Sequence, residues 1–144
     1  MIDQEKVDRF LSVMRDAVGE LEKLNLPSKS FEEYQGDNTL RALSEHYLRL
    51  AIEAALDLGR HVILGRNLGE LKGYREVGET LSENGVIPSE LSERLASWAE
   101  VRNSLIYLYW DVDYGQLYKI ATTELSDFDR YAQCILDFVK GEGA

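Results

Sequence analysis

An all-α fold, an antiparallel bundle of four or five helices, is predicted for this 144-residue chain by three features of its sequence. Apolar residues recur at three-and-four spacing over most of the length, the periodicity of amphipathic helices. No stretch of any length alternates with the period of two that a half-buried strand requires. The segments between helical patterns are short, so consecutive helices return alongside one another. The chain is long enough to bury a core without metal or disulfide support, and one domain spanning 1–144 is the expectation.

Each element has its own signature. Residues 3–24 place Val7, Phe10, Leu11, Met14, Ala17, Val18, Leu21 and Leu24 on one face, and Pro27 ends this first helix because it lacks a donor and restricts the residue before it. A polar link through Phe31, Tyr34 and Gly36 follows. Asp37, Asn38 and Thr39 offer N-caps for a second helix whose apolar face runs Leu40, Leu43, Tyr47, Leu50, Ala51, Ala54, Leu58 and Val62, ending near Leu64. Gly65-Arg66-Asn67-Leu68-Gly69 reads as a turn and lacks the lysine and hydroxyl residue of a phosphate loop. Glu76 to Asn84 forms a short third helix closed by Asn84-Gly85. Pro88 and Ser89 start a fourth, with Leu91, Leu95, Trp98, Ala99, Arg102, Ile106 and Tyr109 on its face. One more amphipathic segment runs from about Gly115 through Val139. Aromatic-rich faces in a chain this apolar suit a homodimer.

Composition narrows the function classes. No run approaches the roughly 18 apolar residues of a membrane-spanning helix, and the polar start Met1-Ile2-Asp3-Gln4-Glu5-Lys6 has no apolar signal core. A cytoplasmic protein is the expectation. Cys134 is the only cysteine, which excludes an internal disulfide and points to a core position. A net charge of −10 argues against a general nucleic-acid coat, so any contact with nucleic acid must be local.

Few residues offer catalytic chemistry. His46 and His61 are the only histidines and stand on one helix, about four turns apart, too far to share a metal. Asp57 and His61 are four apart and face one side, so a structural hydrogen-bonded pair is expected there. No nucleophile elbow or carboxylate pair stands out. The densest chemistry lies at Arg102-Asn103-Ser104-Leu105-Ile106-Tyr107-Leu108-Tyr109-Trp110-Asp111-Val112-Asp113-Tyr114. On a straight helix positions 102 and 107 differ by about 140°, whereas 102 and 109 nearly eclipse. A purely structural reading, aromatic packing that closes a bundle or dimer, stands beside any catalytic one.

Arg102, Asn103, the spacer Ser104-Leu105-Ile106, Tyr107, Leu108 and Tyr109 fit a frame of arginine, polar residue, spacer, histidine, one residue and tyrosine. That frame resembles the HepT-like toxins of the HEPN superfamily. Ala42-Leu43 and Ile52 to His61 resemble the family's second helix, Tyr74-Arg75-Glu76-Val77 with Asn84-Gly85-Val86-Ile87 its middle, and Tyr109 to Tyr114 its continuation. The resemblance implies an all-α, metal-independent RNA endonuclease toxin without cofactor, active as a homodimer. It further implies restraint by a minimal nucleotidyltransferase antitoxin that transfers AMP onto Tyr109. In such a site Arg102 stabilises phosphorane charge, Asn103 orients it, and position 107 moves the proton. Asp57 and His61 are candidate supporting residues.

The departure falls on the proton-transfer position, where Tyr107 replaces the family's histidine. A phenol titrates near 10 and an imidazole near 6.5, so about one unperturbed phenol in a thousand is ionised at pH 7. Tyrosine there predicts a weakened or inactive nuclease. The alternative is a non-catalytic dimer that binds the nucleotidyltransferase or a nucleotide.

Overall fold

The computed structural model describes residues 1–143, and Ala144, the last position of the expected domain, lies outside the described residues. Seven α-helices and two 3₁₀ turns account for the described chain, and no strand occurs among those residues. The fold is an all-α helical bundle.

α1 (Gln4–Lys23) starts where the Asp3 carboxylate accepts hydrogen bonds from the Glu5 and Lys6 amides. Such a cap satisfies donors that have no partner inside the helix. Val7, Leu11, Met14, Ala17, Val18 and Leu21 are buried, matching the predicted face, while Phe10 and Leu24 pack at its margins. The chain turns through Asn25, in the left-handed region at φ 50°, into a 3₁₀ turn at Leu26–Ser28.

The expected polar link contains a short helix, α2 (Phe31–Gln35). Ser30 and Glu33 form a reciprocal capping box, and those hydrogen bonds from Ser30 hold the Glu33 carboxyl below its usual range. Tyr34 is fully buried, its hydroxyl 2.7 Å from Ser44 Oγ.

α3 (Asn38–Gly65) is the central rod, capped by Asp37 as predicted. It runs antiparallel to α1, because His61 accepts from the Asp3 amide at 2.9 Å and Gly65 abuts Ile2. The predicted single apolar face is corrected here. Between Ala51 and Ile63 the helix is buried on almost every side, whereas Leu43, Tyr47 and Leu50 are only half-buried. A helix enclosed by neighbours needs small residues where they approach: a Cβ on Gly59 would stand 2.6 Å from Val77 Cγ1 and 2.7 Å from Tyr131 Oη. Tyr131, from the last helix, donates to the Ala55 carbonyl at 2.7 Å, and burial pushes its phenol far upward.

The Gly65–Gly69 turn forms as expected, although Asn67 and not a glycine takes the left-handed conformation, at φ 53°. A 3₁₀ turn at Tyr74–Glu76 leads into α4 (Val77–Glu83). Gly85, at φ 73°, closes α4 while the Val86 amide reaches back to the Leu81 carbonyl at 2.9 Å. That is the six-to-one bond of a left-handed C-terminal cap.

α5 (Ser89–Tyr107) ends two residues earlier than its predicted face. Leu108 leaves the helix at φ −124°, ψ 41°, and the Asp111 amide bonds the Leu108 carbonyl at 2.9 Å to form a turn. The aromatic and β-branched run that ends the helix has poor helix propensity, and Asp113 serves the next helix, accepting from Gln116 N at 3.1 Å.

The final predicted segment is two helices, α6 (Tyr114–Thr123) and α7 (Leu125–Gly143), separated at Glu124. No proline or glycine marks the break. The Thr122 and Thr123 hydroxyls bond the carbonyls of Tyr118 and Lys119 at 2.6 Å, a local competition with helix continuation. Glu124 is buried and accepts from Trp98 Nε1 at 3.1 Å, so tertiary contact secures the corner. Trp98 also stacks on Phe128 at 3.9 Å between ring centroids and 1° between planes. Cys134 is half-buried, with its thiol pushed up by burial.

Candidate functional site

The site forms where the C-terminal half of α5 lies against α3. Arg102 is held on three sides. Its Cζ stands 4.7 Å from the Tyr74 ring centroid, its Nη1 donates to Asn103 Oδ1 at 3.0 Å, and its Nε lies 3.4 Å from Glu53 Oε1. That Nε is buried without hydrogen-bond geometry, so the contact with Glu53 is a close charge pair only. With 19% of its side chain exposed, Arg102 is braced by these contacts and not sealed from solvent.

Tyr74 connects this arginine to α3. Its hydroxyl donates to Asp57 Oδ1 at 2.7 Å, and that hydrogen bond, with burial, raises the phenol above its usual value. Asp57 therefore holds the hydroxyl of the ring that Arg102 covers. The expected Asp57–His61 pair is replaced by two separate uses, because His61 Nε2 accepts the Asp3 amide while its ring lies 6.4 Å from Phe10. His61 belongs to the α1–α3 contact. The two α3 side chains have nearer partners than each other.

Glu53 is shared. Arg49 Nη1 lies 3.5 Å from the same Oε1 that faces Arg102, so two guanidinium groups flank one carboxylate. Arg49 also lines an open groove with Ala42, Glu45, His46, Leu105, Tyr109 and Val112. At its edge Glu45 accepts from the Tyr114 hydroxyl, and Arg41 covers the Tyr114 ring at 5.1 Å. Burial first, then the Glu45 bond, pushes the Tyr114 phenol up to about 12.

Tyr107 and Tyr109 separate from the arginine in different ways. Tyr107 is the last residue of α5 and is 67% exposed. A turn of about 140° around the helix carries it away from the face that holds Arg102. Tyr109, beyond the helix end, is 72% exposed and meets Trp110, itself 70% exposed, at 5.4 Å and 85°. Together with Leu108 they make an exposed aromatic patch around the end of α5.

Glu45, His46, Arg49, Glu53 and Tyr74 were not singled out as site residues from the sequence. A signal existed on α3, where His46, Arg49, Glu53 and Asp57 recur at spacings of three and four, a polar stripe on a rod otherwise buried. Among the described residues no group of three or more His, Cys, Asp or Glu side chains is placed to hold a metal.

The chain is thus an all-α helical bundle with an arginine-centred surface toward the end of α5. The family model for ribonuclease HepT-like proteins matches residues 14–135. This chain belongs to the ribonuclease HepT-like family. It is 23% identical over 110 residues to the tRNA nuclease HepT of Aphanizomenon flos-aquae, covering 76% of this chain and 75% of that protein. Against the mRNA nuclease HepT of Shewanella oneidensis it is 24% identical over 110 residues, covering 76% and 80%. The tri-AMPylated HEPN toxin of Shewanella oneidensis, solved in complex with its MNT antitoxin, superposes with a TM-score of 0.81 at 19% identity, over 95% of this chain and 99% of that one. No helix among the described residues is long and apolar enough to cross a membrane.

Proposed function

We propose that this chain is the toxin of a toxin–antitoxin pair, a metal-independent RNA endonuclease acting as a cytoplasmic homodimer. The observation that carries the reading is Arg102, braced by Tyr74, Asn103 and Glu53 and linked through Glu53 and Arg49 to the groove lined by Tyr109. A guanidinium held in place costs little reorganisation when charge develops on a phosphorane, which is the electrostatic requirement of RNA transesterification. Asn103 positions that guanidinium and Asp57 positions the Tyr74 ring beneath it. Tyr107 occupies the proton-transfer place of the motif, and a tyrosine there attenuates the nuclease.

The partner is a minimal nucleotidyltransferase antitoxin, and Tyr109 is the acceptor of its AMP. The exposure of Tyr109 supports this assignment. An adenylate on its hydroxyl would fill the groove and set a phosphate against Arg49. The exposed Leu108 and Trp110 beside Tyr109 support pairing with a second copy, since exposed apolar surface of this kind marks an interface.

The test is RNA cleavage by the purified chain in the presence of a metal chelator. Arg102→Ala is expected to abolish cleavage and Tyr107→His to increase it. Cleavage unchanged by Arg102→Ala in a folded variant overturns the reading. The second reading, a non-catalytic dimer that binds the nucleotidyltransferase or a nucleotide, is favoured by the phenol of Tyr107 standing in solvent. It prevails if neither the parent nor Tyr107→His cuts RNA while the partner still co-purifies.

A further inference from the structure

We propose that His46 supplies the proton-transfer group that position 107 lacks, making the α3 groove beside Tyr109 the place where RNA is cut. The inference rests on the nuclease reading above and assigns a catalytic residue outside the Arg102–Tyr109 frame.

The two histidines have opposite situations. His61 is committed to the fold through the Asp3 amide and Phe10. His46 is exposed, and among the described residues its ring nitrogens make no hydrogen bond; only the Tyr47 ring braces it, at 4.9 Å and 71°. It lines the same groove as Arg49 and Tyr109. Arg49 lies three residues on, on the same side of α3, so imidazole and guanidinium are neighbours about one turn apart. Glu53, one turn further, couples Arg49 to Arg102. Arg102 and Arg49, with the Glu53 carboxylate between them, thus connect the motif to the side of His46, where Glu45 also lines the groove.

The chemistry suits each group. The neutral imidazole accepts the proton of a ribose 2′-hydroxyl, and the oxygen attacks the adjacent phosphorus while Arg49 holds the non-bridging oxygens. The new P–O2′ bond replaces the P–O5′ bond, and the departing 5′-oxygen takes a proton from solvent water. The products are a 2′,3′-cyclic phosphate and a 5′-hydroxyl, and the imidazolium returns its proton to solvent. A phenol at 107 is a poor acceptor for the first step, whereas an imidazole is apt for it near neutral pH.

The test uses the full chain, a synthetic RNA and a chelator throughout, comparing the parent with His46→Ala, Tyr107→His, Arg102→Ala and the double variant His46→Ala/Tyr107→His. His46→Ala is expected to lose about 100-fold or more in kcat, the usual worth of general base catalysis, with unchanged circular dichroism because the side chain is exposed. Added imidazole is expected to restore part of that loss, and Tyr107→His is expected to raise the rate more in the His46→Ala background than in the parent. His46→Ala within about threefold of the parent overturns the assignment, as does a loss that neither imidazole nor Tyr107→His relieves. If the parent cleaves and only Arg102→Ala stops it, the nuclease reading survives and the His46 assignment falls. If the parent is inert and Tyr107→His cleaves, the His46 assignment falls and the nuclease reading stands; if neither cleaves, both fall.

Discussion

Replacing Arg102 with lysine preserves the charge and removes the planar fork, so it separates position from charge. In the structure the guanidinium stacks on Tyr74 at 4.7 Å, donates to Asn103 at 3.0 Å and lies 3.4 Å from Glu53. A lysine ammonium cannot stack as a plane and donate sideways at once. Loss of one hydrogen bond from a charged donor is worth about 1.5–3 kcal/mol. At about 1.4 kcal/mol per factor of ten, kcat/KM on a short RNA is expected to fall roughly 10- to 150-fold. The side chain is still partly exposed, so most of this loss is expected in catalysis and little in thermal stability. The assay is steady-state cleavage of a fluorogenic RNA, with melting curves of both proteins as control. Arg102→Lys within about threefold of the parent would refute the argument that a fixed fork, and not charge alone, is what the site supplies.

Three further outcomes follow from named contacts. Tyr109→Phe is expected to abolish AMP incorporation from ATP by the cognate nucleotidyltransferase while leaving the melting temperature unchanged, because the ring is 72% exposed; incorporation that persists at the parent level places the acceptor elsewhere. Trp98→Phe removes the one hydrogen bond that the buried Glu124 carboxylate accepts among the described residues, leaving it only Arg94 Nε at 3.9 Å. It is expected to cost about 3 kcal/mol in urea denaturation, and a cost below about 1 kcal/mol would refute the corner's dependence on that indole. Tyr114 has a phenol raised to about 12 in the folded chain against about 10 unfolded. Its stabilising contribution is therefore complete below about pH 10 and lost as pH rises through about 12, and Tyr114→Phe is expected to lose less stability than the parent across that window.

Much of the fold was legible because helix signals are local. The Asp37 cap, the buried face of α1 and the Asn84-Gly85 stop all depend on residues near each other in the chain. The α2 helix was legible too, in Ser30 and Glu33 three residues later, although the stretch read as a link. The α6–α7 corner was not, since Glu124 sits in an unbroken amphipathic pattern and is turned by Trp98 from another helix. The candidate site divides the same way. Arg102, Asn103, Tyr107 and Tyr109 stand in one short motif, and their neighbours Tyr74, Glu53 and Arg49 come from 28 to 53 positions away, from Tyr74 back to Arg49.

The sequence by itself determined the helical class, most helix boundaries and the motif with tyrosine at position 107, because periodicity, caps and motif spacing are written in consecutive residues. Only the tertiary structure decided which polar groups meet. It gave Asp57 to Tyr74 and His61 to Asp3, and it placed His46 beside Arg49 and Tyr109 in one groove. The reason is geometric: a helical pattern fixes the direction of a side chain about its own axis, and its partner is fixed only when another helix packs against that face.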